Sequence, residues 1–121
     1  MRIESVQPVL AVKDVVAAVA FYERIGFTRR FVDDDANPRY AGVARDRVEL
    51  HVQWHDAAEW TYPVDRIAIR FVVDDVDALW SSWTALSPPL DRTAVMDTAW
   101  GTREFHVRDV DGNVLQFYRN R

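Results

Sequence analysis

The chain repeats itself, and no other feature of the sequence constrains the fold as much. An apolar strand followed by VKDVVAAVAFYERIGF stands near the N-terminus, and another followed by VDDVDALWSSWTALSPP stands near the middle. In each, an alternating apolar run closes on Val, a polar residue and Asp: Val12-Lys13-Asp14, then Val73-Asp74-Asp75. A helix-period segment with aromatic residues follows, carrying Phe21 and Tyr22 in the first copy and Trp80 and Trp83 in the second. Further short strands complete each copy. A period of roughly 55–60 residues built this way predicts two similar modules sharing one sheet, with a concave surface where function would sit.

At 121 residues the two copies, 1–56 and 64–121, amount to one domain with a shared core. The order β-α-β-β-β, twice, makes the expected class α+β. Residues 3–12 alternate as a strand with Val6, Leu10 and Val12 on one face. Asp14 is placed to cap a helix that runs to about Arg24 and stops at Gly26. Strands are expected over Phe27–Val32, Tyr40–Ala44 and Val48–Trp54, with Asp33-Asp34-Asp35 as a turn between the first two. The Val48–Trp54 strand alternates cleanly: Val48, Leu50, Val52 and Trp54 face the core, while Glu49, His51 and Gln53 face solvent or a cleft. In the second copy Asp74 or Asp75 caps a helix to about Leu86, ended by Pro88-Pro89. A strand near 92–96 and a hairpin, Glu104–Arg108 with Val114–Tyr118, close the chain.

Composition excludes several classes. A net charge of −4 and a pI near 5.3 argue against nucleic acid or an anionic membrane as partner. The absence of cysteine removes disulfides, thiolate nucleophiles and cysteine metal sites. No segment reads as a signal peptide or a membrane span, so a cytoplasmic protein is expected. No Ser–His–Asp set or phosphate-cradling glycine loop is present. Five tryptophans exceed what a core this small needs. Trp100 precedes Gly101 in a loop, where a ligand role competes with core packing, and Trp60 lies in the linker, where it would rim a cleft.

VLAVKDVVAAVAFYERIGF and WGTREFHVRDVDGNVLQFY together resemble the vicinal oxygen chelate superfamily, which includes glyoxalases, extradiol dioxygenases, fosfomycin-resistance transferases and bleomycin-resistance proteins. The resemblance spans essentially the whole chain and implies the glyoxalase/bleomycin-resistance fold, paired βαβββ modules curling around a cleft. The superfamily's metal-ligand positions fall here on Gln7, Glu49, Ala68 (or Arg66, if the register slips) and Gln116. That set offers one anionic donor, too few for a hard divalent cation, so no metal and no other cofactor is expected. His51, Glu104 and His106 share the wet face with Glu49. The competing reading is a glyoxalase-like lyase or dioxygenase with Glu49, His51 and His106 around a divalent metal.

AAVAFYERIGF, FVDD and AWGT are most similar to the bleomycin-resistance group. That resemblance implies a homodimer without catalysis that sequesters a flat, cationic antibiotic. Trp100 and Gly101 would stack on the ligand, Phe31 and Tyr40 would form the opposing wall, and Asp33 would be an acidic contact. Glu49 and His51 would line the cleft, with Glu49 expected to pair with Arg66 or Arg70. A third reading is a binder of an ordinary metabolite.

Overall fold

The structure is a computed structural model that describes residues 1–56 and 66–121. Trp60 and the rest of the linker at 57–65 lie outside the described residues. Backbone contacts divide the chain into two compact units, Met1–Val64 and Asp65–Arg121.

In the first unit, β1 (Val9–Val12) is followed by α1 (Val15–Arg24), β2 (Thr28–Val32), β3 (Tyr40–Arg45) and β4 (Val48–Trp54). The sheet order is β1-β4-β3-β2, with β1 parallel to β4 and the remaining pairs antiparallel. Asp14 caps α1 as the sequence requires, its carboxylate accepting from the Ala17 amide at 3.1 Å. Val15, Ala18, Val19 and Tyr22 recur at helical spacing and are buried. Gly26 turns the chain at φ +97°, a conformation that costs a residue with a Cβ more, and Arg45 donates to the freed Ile25 carbonyl at 2.7 Å. Leu10, Val12, Leu50 and Val52 from adjacent strands complete an aliphatic core around Tyr22.

The second unit holds β5 (Ala68–Val72), α2 (Val76–Ser82), β6 (Asp91–Arg92), β7 (Met96–Asp97), β8 (Thr102–Arg108) and β9 (Val114–Asn120). Its order is β5-β9-β8-β6, with β7 also on β8 and β5 parallel to β9. Its core is aromatic. Phe117 stacks on Phe71 and Phe105 at 4.9 and 5.3 Å, and Trp83 meets Phe105 and Phe117 edge-on at 5.9 and 5.4 Å. Rings in such offset and edge contacts gain about 0.5–1.5 kcal/mol per pair beyond the area they bury.

Five expectations need correction. The single shared sheet becomes one sheet per unit. The first strand starts at Val9: the Pro8 carbonyl still accepts from the His51 amide of β4 at 2.9 Å, but the chain before it runs out into solvent, with Val6 82% exposed. The helix of the second unit ends at Ser82 rather than near Leu86, since the backbone tightens into three-residue turns (Thr84 to Ser81, Leu86 to Trp83) ahead of the prolines. Trp54 is not core: as the last residue of β4 it runs past the core to 36% exposure, with the Arg39 guanidinium 4.1 Å above its ring. The strand expected near 92–96 is split into β6 and β7, two residues each. Among the described residues no helix is long and apolar enough to cross a membrane.

Candidate functional site

The first unit gathers Phe31, Tyr40, Glu49 and His51 on one face of its sheet. Register explains how. Gly42 on β3 stands opposite both Phe31 on β2 and His51 on β4. Having no side chain, Gly42 admits the Phe31 ring, which occupies the space a Cβ would need. Phe31 stacks on Tyr40 with centroids 6.1 Å apart and planes 17° from parallel, and meets His51 edge-on at 5.3 Å. The Tyr40 hydroxyl lies 2.7 Å from His51 Nδ1, and His51 Nε2 lies 2.9 Å from Glu49 Oε2. With imidazole neutral, Nε2–H donates to Glu49 and Tyr40 donates to Nδ1, a relay in which both ring nitrogens are satisfied.

Glu49 is already partnered within its own unit. Its partners are His51 and, at 3.8 Å, Arg30, which stands on β2, across the intervening β3. Arg70 is instead held in its own unit by Glu104. Asp33 is exposed but occupied: Oδ1 accepts from the Arg39 and Tyr40 amides at 2.9 and 3.2 Å, closing the loop that aims Tyr40. The Arg39 amide bond, foremost, holds this carboxyl below the usual carboxylate range, with the Tyr40 bond adding to it.

In the second unit Trp100 projects from the turn between β7 and β8 and is 68% exposed. The turn beneath it is tied down. Thr98 and Thr102 share a hydroxyl hydrogen bond of 2.8 Å, Gly101 takes φ +89°, and Arg121 donates from its backbone to Gly101 O and from Nη2 to Thr98 O, both at 2.9 Å. A large apolar ring on a rigid support is what a stacking contact needs. Trp100 and Gly101 thus belong to one unit, and Phe31, Tyr40, Asp33, Glu49 and His51 to the other.

The sequence underrated a third group. Glu104 on β8 is fully buried, Arg70 Nη1 donates to its Oε2 at 3.0 Å and to Gln116 Oε1 at 2.8 Å, and His106 Nε2 lies 3.5 Å from the same carboxylate oxygen. Strand alternation already puts Glu104 and His106 on one face; the signal missed was Tyr118, directly across from Glu104 on β9 and large enough to help cover it.

Tested as ligands for a divalent metal, the superfamily positions do not fit. Ala68 has no donor atom, Gln116 already accepts from Arg70, and both oxygens of Glu49 are engaged by His51 and Arg30. Among the described residues no group of three or more His, Asp or Glu side chains is placed to hold a metal ion. A groove of about 350 Å³ runs between α1 and the β2–β3 loop, past Val16, Val19, Val32 and Pro38. Asp35 of the acidic turn lines it, but Phe31, Tyr40, Asp33, Glu49 and His51 do not.

The model of the Glyoxalase/Bleomycin resistance protein/Dioxygenase superfamily matches residues 2–117. Among solved structures, the chain is 30% identical to the bleomycin-binding protein of bleomycin-producing Streptomyces verticillus complexed with copper(II)-bleomycin, over 97% of this chain and 96% of that one, with a TM-score of 0.77. A bleomycin resistance determinant encoded on the transposon Tn5 is 20% identical over 98% and 99%, with a TM-score of 0.76. TnmS3, an antibiotic binding protein from Streptomyces sp. CB03234, is 23% identical over 100% of both chains, with a TM-score of 0.68. The last two share the fold. No curated protein matches the chain. With nearly its whole length matched, and with the α+β units that the match requires, this chain belongs to the glyoxalase/bleomycin resistance/dioxygenase superfamily.

Proposed function

We propose that the protein binds a flat aromatic antibiotic of the bleomycin type and acts by sequestering it, without metal and without catalysis. One observation carries the reading: Trp100 stands 68% exposed on a braced turn, in a chain 30% identical end to end to a protein solved with copper(II)-bleomycin. A ring of that size left in water is unfavourable for the free protein and becomes binding energy when a flat ligand covers it. The stacked Phe31–Tyr40 pair, with Phe31 itself exposed, offers a second aromatic surface. Arg70 alone would disfavour a cationic drug, but Glu104 neutralises it at 3.0 Å. We further propose that the working form is a cytoplasmic homodimer. Ile3 and Val6 are exposed, and β2 and β1 are the edges of their sheet, so a second copy has apolar and hydrogen-bonding surface to cover.

Calorimetric titration of chelator-treated protein with bleomycin, with tryptophan fluorescence in parallel, tests this. Saturable binding near one drug per subunit is expected. Trp100→Ala weakens it about tenfold or more while shifting stability by less than about 0.5 kcal/mol, because the ring supports nothing in the fold. Neither heat nor quenching would reject the bleomycin reading and leave an ordinary metabolite as ligand. Sedimentation across a concentration series tests the dimer.

A further inference from the structure

The polar cluster of the second unit has no part in aromatic stacking, and its construction is specific. Glu104 is fully buried, and a carboxylate taken out of water has to be compensated. Arg70 supplies the compensation and is itself fixed three ways. Nη1 donates to Glu104 Oε2 and to Gln116 Oε1, and the guanidinium carbon sits 3.9 Å over the Tyr118 ring. The Arg70 side chain nevertheless remains 39% exposed. A buried ion pair of this kind is a poor source of stability, because desolvation offsets most of the attraction. What it supplies is a guanidinium with a set plane and a set rotation.

The edge left open decides what such a group recognises. Guanidinium carries five N–H donors in a planar fork. Both hydrogen bonds of Arg70 leave through Nη1, so the parallel N–H pair on Nε and Nη2 meets no acceptor among the described residues. That side-on edge matches the two oxygens of a carboxylate or phosphate, and presents them with two parallel charge-assisted bonds. The same cluster carries two buried atoms with no hydrogen-bond partner, His106 Nε2 and Glu104 Oε1. Polar networks in folded proteins are ordinarily complete, so an incomplete one around a braced arginine points to an absent ligand.

We propose that Arg70, positioned by Glu104, Gln116 and Tyr118, is the anion-recognition residue for a small molecule bearing a carboxylate or phosphate group. This does not rest on the bleomycin reading. Glu104 cancels much of the charge on Arg70, so affinity comes from the fork, and a one-ring probe binds on the order of millimolar.

The test is NMR titration of the full chain with benzoate, phenyl phosphate and the neutral isostere benzamide, following the Arg70 Nε–Hε signal assigned by its loss in Arg70→Lys. At least one anion is expected to shift that signal saturably, with benzamide about tenfold weaker or more. Which anion binds more tightly identifies carboxylate or phosphate as the source. Arg70→Lys keeps the charge, removes the fork and is expected to lose about tenfold in anion affinity. Should that variant fail to fold, the paired Arg70→Gln/Glu104→Gln substitution keeps a neutral hydrogen-bonded pair and must lose anion binding too. An Arg70 signal that neither anion moves, benzamide binding as well as benzoate, or undiminished anion binding in the paired variant would overturn the proposal. A failure of bleomycin to bind leaves all of these readouts unchanged.

Discussion

The two units carry the same pair at the same spacing, Glu49-Leu50-His51 on β4 and Glu104-Phe105-His106 on β8, and they treat it in opposite ways. In the first unit the pair is closed. Both nitrogens of His51 are bonded, Glu49 is a third exposed, and its arginine reaches it only at 3.8 Å. In the second unit the glutamate is fully buried, its arginine is at 3.0 Å, and one carboxylate oxygen and His106 Nε2 are left without hydrogen bonds. Cross-strand partners account for the difference. Ala44 and Gly42 stand opposite Glu49 and His51, so the site stays open to water and to the neighbouring aromatics. Tyr118 and Gln116 stand opposite Glu104 and His106, and Glu104 is left with no exposure to water. An identical Glu-x-His pattern is therefore a solvated relay in one place and a costly, incomplete network in another.

Removing the arginine from each pair breaks the comparison most directly. Arg70→Met strands a fully buried carboxylate and is expected to cost about 3–5 kcal/mol of unfolding free energy. Arg30→Met removes an exposed partner and is expected to cost less than about 1 kcal/mol. Urea unfolding of the two variants measures both. Equal losses would mean that burial of Glu104 does not distinguish the units.

The aromatic side of the first unit is tested at Gly42. Gly42→Ala places a Cβ where the Phe31 ring lies, forcing the ring off its stack with Tyr40. A cost of about 1–3 kcal/mol is expected, as for other overpacked sites, together with weaker drug binding if Phe31 and Tyr40 form part of the ligand surface. Chemical shifts of the Tyr40 and His51 rings report whether the relay moves with Phe31. The second unit has no counterpart to this glycine, since Gln116 fills the position opposite His106.

Much of this architecture was legible from periodicity. Asp14 and Asp75 cap their helices through the Ala17 and Ala78 amides, and Val48–Trp54 forms a strand with the bounds its alternation implies. Local signals of this kind are fixed by residues three or four apart, or by a two-residue period, and a sequence displays them directly. What it hid was set across strands. Alternation puts Trp54 on the apolar face but does not say that the core ends at Val52. The residues near 3–7 have strand periodicity but lie exposed and outside the sheet. The partners of Glu49 within its unit, the braced Arg70 and the seat of Phe31 on Gly42 all depend on register between segments distant in the chain. Trp100 was legible as a loop residue beside a glycine, yet the tie that makes its turn rigid comes from Arg121 at the far end of the sequence.

The smallest expected effect separates two carboxylates lowered below the usual range by different causes. Backbone amides, foremost that of Arg39, lower Asp33 in the first unit; the side-chain bonds of Arg103, at 2.8 Å to each oxygen, lower Asp77 in the second. A carboxyl with a lowered folded-state pKa binds its proton more readily when unfolded. Each therefore contributes stability in full above the usual carboxylate range and loses it as pH falls through the lowered folded value. The sign is shared, but the response to salt is not. The Asp77–Arg103 pair is exposed, and salt screens it. The Asp33 bonds act over hydrogen-bonding distance to backbone dipoles, and salt leaves them largely intact. At pH 7, the gap in urea midpoint between wild type and Asp77→Asn is expected to narrow in high salt, while the gap to Asp33→Ala persists. At pH 3 both gaps are expected to shrink. Equal narrowing of the two gaps with salt would mean that charge, rather than the two amide bonds, holds the loop that aims Tyr40.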